Sequence, residues 1–235
     1  MQRIIQQLRD ELRKNAEESL RDSGKRYFKE PVKLYGVKTA LVSKIAKQFF
    51  RSLPESNKDI VFSLCETLWQ SGLLEESFVA CHWSEAVHKQ YTIEDFITFE
   101  RWVSEYVNNW ASCDTLCNHS IGSLIEKYPK TVQKLKPWTH AQNRWVKRAS
   151  AVSLILPARR GQFLSDIFEI AETLLHDPDD LVQKGYGWML KEASRKHQQE
   201  VFDFIQKHKK TMPRTALRYA IEKMPDDLRK AAMSL

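Results

Sequence analysis

Trp110 and Asp114 stand four residues apart in the stretch NNWASCD, with small residues between them. On a helix that spacing puts both side chains on one face. Asn109 is placed to start such a helix, which leaves Asp114 in its first turns. A carboxylate and an indole on one face can form the working part of an enzyme. The same pair can also do ordinary structural work, with Asp complementing the helix dipole and Trp filling a core. Taken alone, the pair favours the structural role. Cys113, Cys117 and His119 lie close by, but their spacing matches no standard zinc pattern, so no metal and no cofactor is expected. With Cys65 and Cys81 they complete the four cysteines, expected as reduced thiols.

Three further stretches carry chemistry-capable side chains. Tyr27, Phe28 and Tyr35 are interleaved with Lys25, Arg26, Lys29, Lys33 and Lys38, and Gly36 precedes Thr39, a candidate helix cap. A helix start with Lys38 beside it would seat a phosphate; otherwise it is a plain loop-to-helix entry. Arg148 follows Trp145 by three residues and would reach a phosphate or the acidic partner of the site, or else sit as a solvated edge charge. Gly185 and Gly187 flank Tyr186 in a helical stripe, each costing about 1 kcal/mol against Ala. Such a cost needs a close approach, by a ligand or by a packed helix. Trp188 comes next, framed by Lys184 and Lys191, with Arg195 further on.

The elements that must position these residues read as helices almost throughout. Apolar residues recur at helical spacing from Ile4 to Ile221, and breaks at SLPESN, SGLLEE, YPKT, LPARRG, HDPDD, KTMPR and MPDD divide the chain into roughly eleven helices. Ile4 through Leu20 reads as one stripe. Asn57 reads as a cap, Thr92 and Asp95 as a capping box, and Pro157 as the stop of the stripe from Trp145. No period-2 run is convincing. The expected fold is all-α: a HEAT-like α-solenoid of antiparallel helix pairs with a concave basic face, formed by one domain over residues 1–235.

Charge is uneven. Residues 1–120 hold sixteen Lys/Arg against seventeen Asp/Glu, net −1, and residues 121–235 hold twenty-one against thirteen, net +8. Lys25 to Lys58 is a local basic run of nine cations against Glu30 and Glu55. Clustered positive charge favours a polyanion partner. No apolar run is long enough for a membrane span, and MQRIIQQLRDELRKN lacks the apolar centre of a signal peptide. The expectation is a cytoplasmic, nucleoid-associated monomer with no membrane contact.

Five segments, RYFKEPVKLYGVKT, NNWASCD, QNRWVKRA, VQKGYGWMLKEASR and PRTALRYAIEKM, follow one another in an order and spacing that resembles the AlkD group of the HEAT-like-repeat DNA alkylation repair glycosylases. The resemblance covers roughly residues 20–225. It implies hydrolysis of the N-glycosidic bond of cationic alkylpurines, such as 3-methyladenine and 7-methylguanine, in double-stranded DNA, without flipping the base. It places the catalytic Asp at Asp114, the cleft tryptophans at Trp110 and Trp188, the cleft Arg at Arg148 and the N-terminal aromatic at Tyr27, with Lys38, Thr39, Arg148 and Lys191 on phosphates. Departures from the family pattern are Asn109 before the first Trp, Ala111 after it and Ala40 after Thr39. The rival functions are a catalytically silent HEAT-repeat binder of damaged or branched DNA and a HEAT-repeat scaffold for protein partners.

Overall fold

The computed structural model describes residues 2–234; the terminal residues of the 1–235 span lie outside the described residues. The expected all-α, helix-on-helix architecture is the one formed, and among the described residues the sole β feature is an isolated bridge between Lys33 and Leu73. No helix is long and apolar enough to cross a membrane. The chain divides into two compact units, residues 1–120 and 121–235.

The first unit runs through α1 (Gln2–Lys14), α2 (Glu18–Lys25), α3 (Thr39–Arg51), α4 (Lys58–Trp69), α5 (Leu74–Ala86), α6 (Asp95–Glu105) and α7 (Trp110–Leu116). Helix α5 is its centre, with α3, α4 and α7 packed on it. Eight of its thirteen residues are buried, so it lacks the one-sided apolar stripe of a surface helix. Its Trp83 is buried and donates from Nε1 to the Ala46 carbonyl at 2.8 Å, tying α5 to α3. Phe62, Phe99 and Trp102 pack in tilted and edge-on pairs 5.3–5.6 Å apart, close to Tyr91.

The second unit holds α8 (Gly122–Lys127), α9 (Arg144–Val152), α10 (Ile155–Arg159), α11 (Leu164–Thr173), α12 (Asp180–Ala193), α13 (Gln198–His208), α14 (Arg214–Ala220) and α15 (Asp226–Met233). Here α12 is central, contacting α9, α10, α11 and α14. The glycines have their explanation in packing. A Cβ on Gly187 would stand 2.7 Å from the Ala216 carbonyl oxygen and 2.8 Å from Tyr219 Cβ, so α14 can lie close only because position 187 is bare. A Cβ on Gly185 would meet Arg148 Cγ at 3.3 Å.

Several local expectations change. The described residues form fifteen α-helices, more and shorter than the eleven expected, because some stripes are broken. The Ile4–Leu20 stripe divides into α1 and α2, with Ala16 exposed at the break. Pro157 does not stop a helix: α9 ends at Val152, and Pro157 lies in the first turn of α10, where its missing N–H is not needed. Thr39 is the first residue of α3 and not its cap, which is Lys38, without a side-chain cap bond. Asn57 does cap α4, accepting from the Asp59 N–H. Of the Thr92–Asp95 box one half forms: Asp95 accepts from the Thr92 N–H at 2.7 Å.

Candidate functional site

In the first unit two of the expected site residues, Trp110 and Asp114, lie on α7. Asn109 caps it, its side chain accepting from the Ser112 N–H at 2.9 Å, and Trp110 is the first helical residue. The cap fixes the helix start and therefore the face that Trp110 and Asp114 share. Trp110 is 36% exposed and Asp114 half-buried, so neither is drawn into the core. The buried face of the same helix is supplied by Ser112, Cys113 and Leu116. A π-turn, Cys117–Ile121, follows immediately. Such wide turns concentrate at functional sites.

The indole of Trp110 does not stand alone. Phe28 stacks on it with ring centroids 5.5 Å apart and planes 28° apart. Its Nε1 lies 3.5 Å from the Tyr27 carbonyl, a long contact. Tyr27 itself is 77% exposed, its ring available to solvent. The sequence assigns a role to Tyr27 and none to its neighbour Phe28, whose ring is the one stacked on the indole. The alternation of aromatics and cations in KRYFKEP is the signal that contained both.

Two buried acids hold the segment leading into α3. Glu75 of α5 accepts from the N–H groups of Tyr35, Gly36 and Val37 at 2.9, 2.8 and 3.0 Å. Its neighbour Glu76 accepts from Arg9 at 2.9 Å and from the Tyr35 hydroxyl at 2.7 Å. Burial and that bond to Glu76 push the Tyr35 phenol well above its ordinary range. Gly36 has φ +94°, and a Cβ there would meet the Glu17 carbonyl oxygen at 2.4 Å. The Gly36 carbonyl accepts from the Glu17 N–H at 2.9 Å, so this turn supports the start of α2. Helix α2 has no buried residue of its own. Its placement, and that of Tyr27 and Phe28 after it, rests on this turn and on the stack against Trp110. Lys38 and Thr39 emerge exposed from the same turn, with Lys38 Nζ 3.5 Å from Glu17. Glu75 carried no sequence signal, since an acid in the first turn of a helix is ordinary.

In the second unit Trp188 and Lys191 share α12. Trp188 is half-buried, with Lys191 Nζ 6.0 Å from its ring centroid and 5.7 Å from that of Tyr219. Lys191 is also paired with Glu222 at 3.0 Å. Arg148 on α9 is only 5% exposed, and its Nη1 donates to the Leu181 carbonyl at the start of α12. It is thus neither a solvated edge charge nor a freely extended side chain. No group of three or more His, Cys, Asp or Glu among the described residues is arranged to hold a metal ion, and all four cysteines are free and buried.

The family model for DNA alkylation repair enzymes matches residues 8–224. Among solved structures, a predicted DNA alkylation repair enzyme from Enterococcus faecalis superposes with a TM-score of 0.79 at 15% identity, over 90% of this chain and 98% of that one. At that identity the likeness speaks for the fold. No curated protein matches the chain.

Proposed function

From a chain that belongs to the DNA alkylation repair enzyme family, we infer a DNA glycosylase that releases cationic alkylpurines, 3-methyladenine and 7-methylguanine among them, from duplex DNA. The observation that carries this reading is the pairing on α7: a half-buried carboxylate, Asp114, one turn from a half-exposed indole, Trp110, on a helix start fixed by Asn109.

The chemistry asks for little more. A purine alkylated at N3 or N7 already carries positive charge and leaves as a neutral base. As the C1′–N bond breaks, the positive charge moves onto the deoxyribose. Asp114 lowers the energy of that oxocarbenium-like sugar by opposing charge, and it takes the proton of the water that adds to C1′. Trp110 offers a π face to the same cationic sugar, and the stack with Phe28 holds it there. We assign Trp188, with Lys191 near its ring, to the DNA backbone at the lesion. Tyr27, exposed, meets the distorted duplex. Lys38, Thr39 and Lys191 take phosphates. Arg148, anchored by the Leu181 carbonyl, is assigned to the DNA backbone. Recognition through the weakened glycosidic bond needs no extruded base, so bulky adducts fit this reading.

The test is release of free base from methylated duplex DNA under single-turnover conditions. Asp114→Asn, which keeps the shape of the side chain, is expected to lose most release of 7-methylguanine while duplex binding stays near wild type. Excision at the wild-type rate in that variant would remove Asp114 from the reaction. Wild-type protein that binds the duplex tightly and frees no base would make it a silent binder of damaged DNA.

A further inference from the structure

Helix α3 carries a polar stripe that its core does not use. Val42, Ile45 and Ala46 are buried. Thr39, Ser43 and Lys47 follow at four-residue spacing, so they line up along another face. Opposite the middle of that stripe is His82 on α5, whose Nε2 lies 2.8 Å from Ser43 Oγ. Both are half-buried, whereas Lys47 is exposed and makes no ion pair among the described residues. His119, exposed in the π-turn after α7, acts on His82 together with Lys47.

We propose that Ser43, Lys47, His82 and His119 form an anion seat in the first unit that takes a phosphodiester group of duplex DNA. It continues the stripe begun by Lys38 and Thr39, and it rests on the reading of the chain as a duplex-binding repair enzyme. The charge around His82 supports it. Burial pushes its imidazole below the ordinary value, and the nearby His119 and Lys47 push the same way. Of the helices packed on α5, α3 contributes Lys44 and Lys47, both exposed. From α4, Glu66 is bound by Arg101, Trp102 and Tyr106, and Asp59 sits at the exposed helix start. Helix α7 contributes Asp114; α5 itself adds Glu85 one turn on, beside His88 of the turn that follows. The charged groups acting on His82 are His119 and Lys47, and both are cations when protonated. The Ser43 hydroxyl bonded to His82, with exposed Lys47 one turn along the same stripe, offers donors that an anion completes, and the two free oxygens of a phosphodiester can accept from them.

The sign follows. An anion in the seat favours charged imidazole, so His82 binds its proton more tightly in the complex than in the free protein. Duplex affinity should therefore rise as pH falls from about pH 7 through the ordinary imidazole value of 6.5 and on toward the lowered value of the free protein, by up to about tenfold per pH unit for one linked proton. The experiment measures binding of an undamaged duplex across that range at fixed salt, for the full chain and for His82→Gln, whose amide can still bond Ser43. In parallel, the His82 ring proton resonance is titrated with and without duplex, and with inorganic phosphate alone. Expected are an upward move of the His82 titration on adding duplex, a loss of part of the pH dependence in His82→Gln, and a salt slope lower by about one in Lys47→Gln. A His82 titration that duplex leaves unmoved overturns the seat. So does a move that inorganic phosphate reproduces in full, because the site would then be for small anions. The wild-type resonance answers even if a variant fails to fold. Base release is not part of this readout, so a failure of the glycosylase reading and a failure of the seat are separable: protein that excises normally with an unmoved His82 loses only the seat.

Discussion

The two units differ sharply in formal charge but less in the cations they leave unpaired. The first is nearly neutral, net −1, yet Lys44, Lys47 and Arg51 stand exposed along α3 with no ion pair among the described residues. The second carries +8 and mixes both kinds: Lys136 is engaged with Asp166 and Glu169, Lys147 with Asp177, Arg159 and Arg195 with Glu192, and Lys191 with Glu222, while Lys130, Lys196, Lys210, Arg214 and Arg218 stand exposed with no ion pair among the described residues. Charge available to a polyanion therefore depends on local pairing as well as on composition. The units also differ in what holds their working segments. The first uses buried carboxylates clamping backbone N–H groups, and the second uses close helix contact through glycine.

The largest effect should come from removing the first kind of clamp. Glu75→Ala would leave three buried N–H groups without their carboxylate, a loss of about 3–5 kcal/mol. The amides of Tyr35, Gly36 and Val37 should lose hydrogen-exchange protection first, and excision should fall with the displacement of Phe28 from Trp110. Unchanged protection at those amides would mean that the turn is held by other contacts.

The counterpart in the second unit is Gly187→Ala. The added methyl meets backbone of α14, and overpacking of that kind costs about 1–3 kcal/mol, reduced by about 1 kcal/mol of regained helix propensity. Gly185→Ala meets side chains and no neighbouring backbone, Arg148 at 3.3 and 3.5 Å and Val152 at 3.6 Å, and should stay within about 1 kcal/mol of wild type. Equal denaturation midpoints for the two variants would dissolve the contrast between the glycines.

These two units were not equally legible in sequence. Helical periodicity gave the all-α class and most core residues, because burial on a helix follows a fixed spacing. The Asn109 cap and the Trp110–Asp114 face were readable for the same reason: they depend on the local geometry of the first two turns of one helix. Phe28 and Glu75 were not, since each matters through a partner far along the chain, Trp110 or the Tyr35–Val37 turn. Pro157 misled because a proline tolerated in a first turn and a proline ending a helix look alike in one dimension. The glycines at 185 and 187 signalled a close approach correctly, but only the structure says that the neighbours are Arg148 and Ala216.

Acid sensitivity gives a finer comparison. Burial works to raise the Glu66 carboxyl, but bonds from Arg101, Tyr106 and Trp102 outweigh it and hold it at about 2. In the second unit burial likewise opposes, and Arg159 and Arg195 hold Glu192 below the usual carboxylate range. A depressed carboxyl contributes stability that is present above its unfolded value, about 4.3, and is lost as pH falls through the folded value. For Glu66 the window runs from about pH 4 down to about pH 2. Arg101→Gln should flatten the acid dependence of the first unit's stability over that window and leave the second unit's dependence intact, as followed by amide exchange in each unit. Parallel changes in both would show that the two do not respond to acid separately.

The smallest effect concerns availability of charge itself. If Lys191 must give up Glu222 to meet a phosphate, that ion pair competes with DNA. Glu222→Gln should then tighten duplex binding by up to about fivefold at low salt, the range expected for one partly exposed pair. The control is Glu172→Gln, which releases Lys207 from a more exposed pair elsewhere in the same unit and changes net charge equally. Electrostatics at a distance would make the two variants alike, because both remove one negative charge and both are screened by salt. A larger gain for Glu222→Gln, shrinking as salt rises, would mark Lys191 as a cation held in reserve beside Trp188, whereas equal gains would return it to a structural pair.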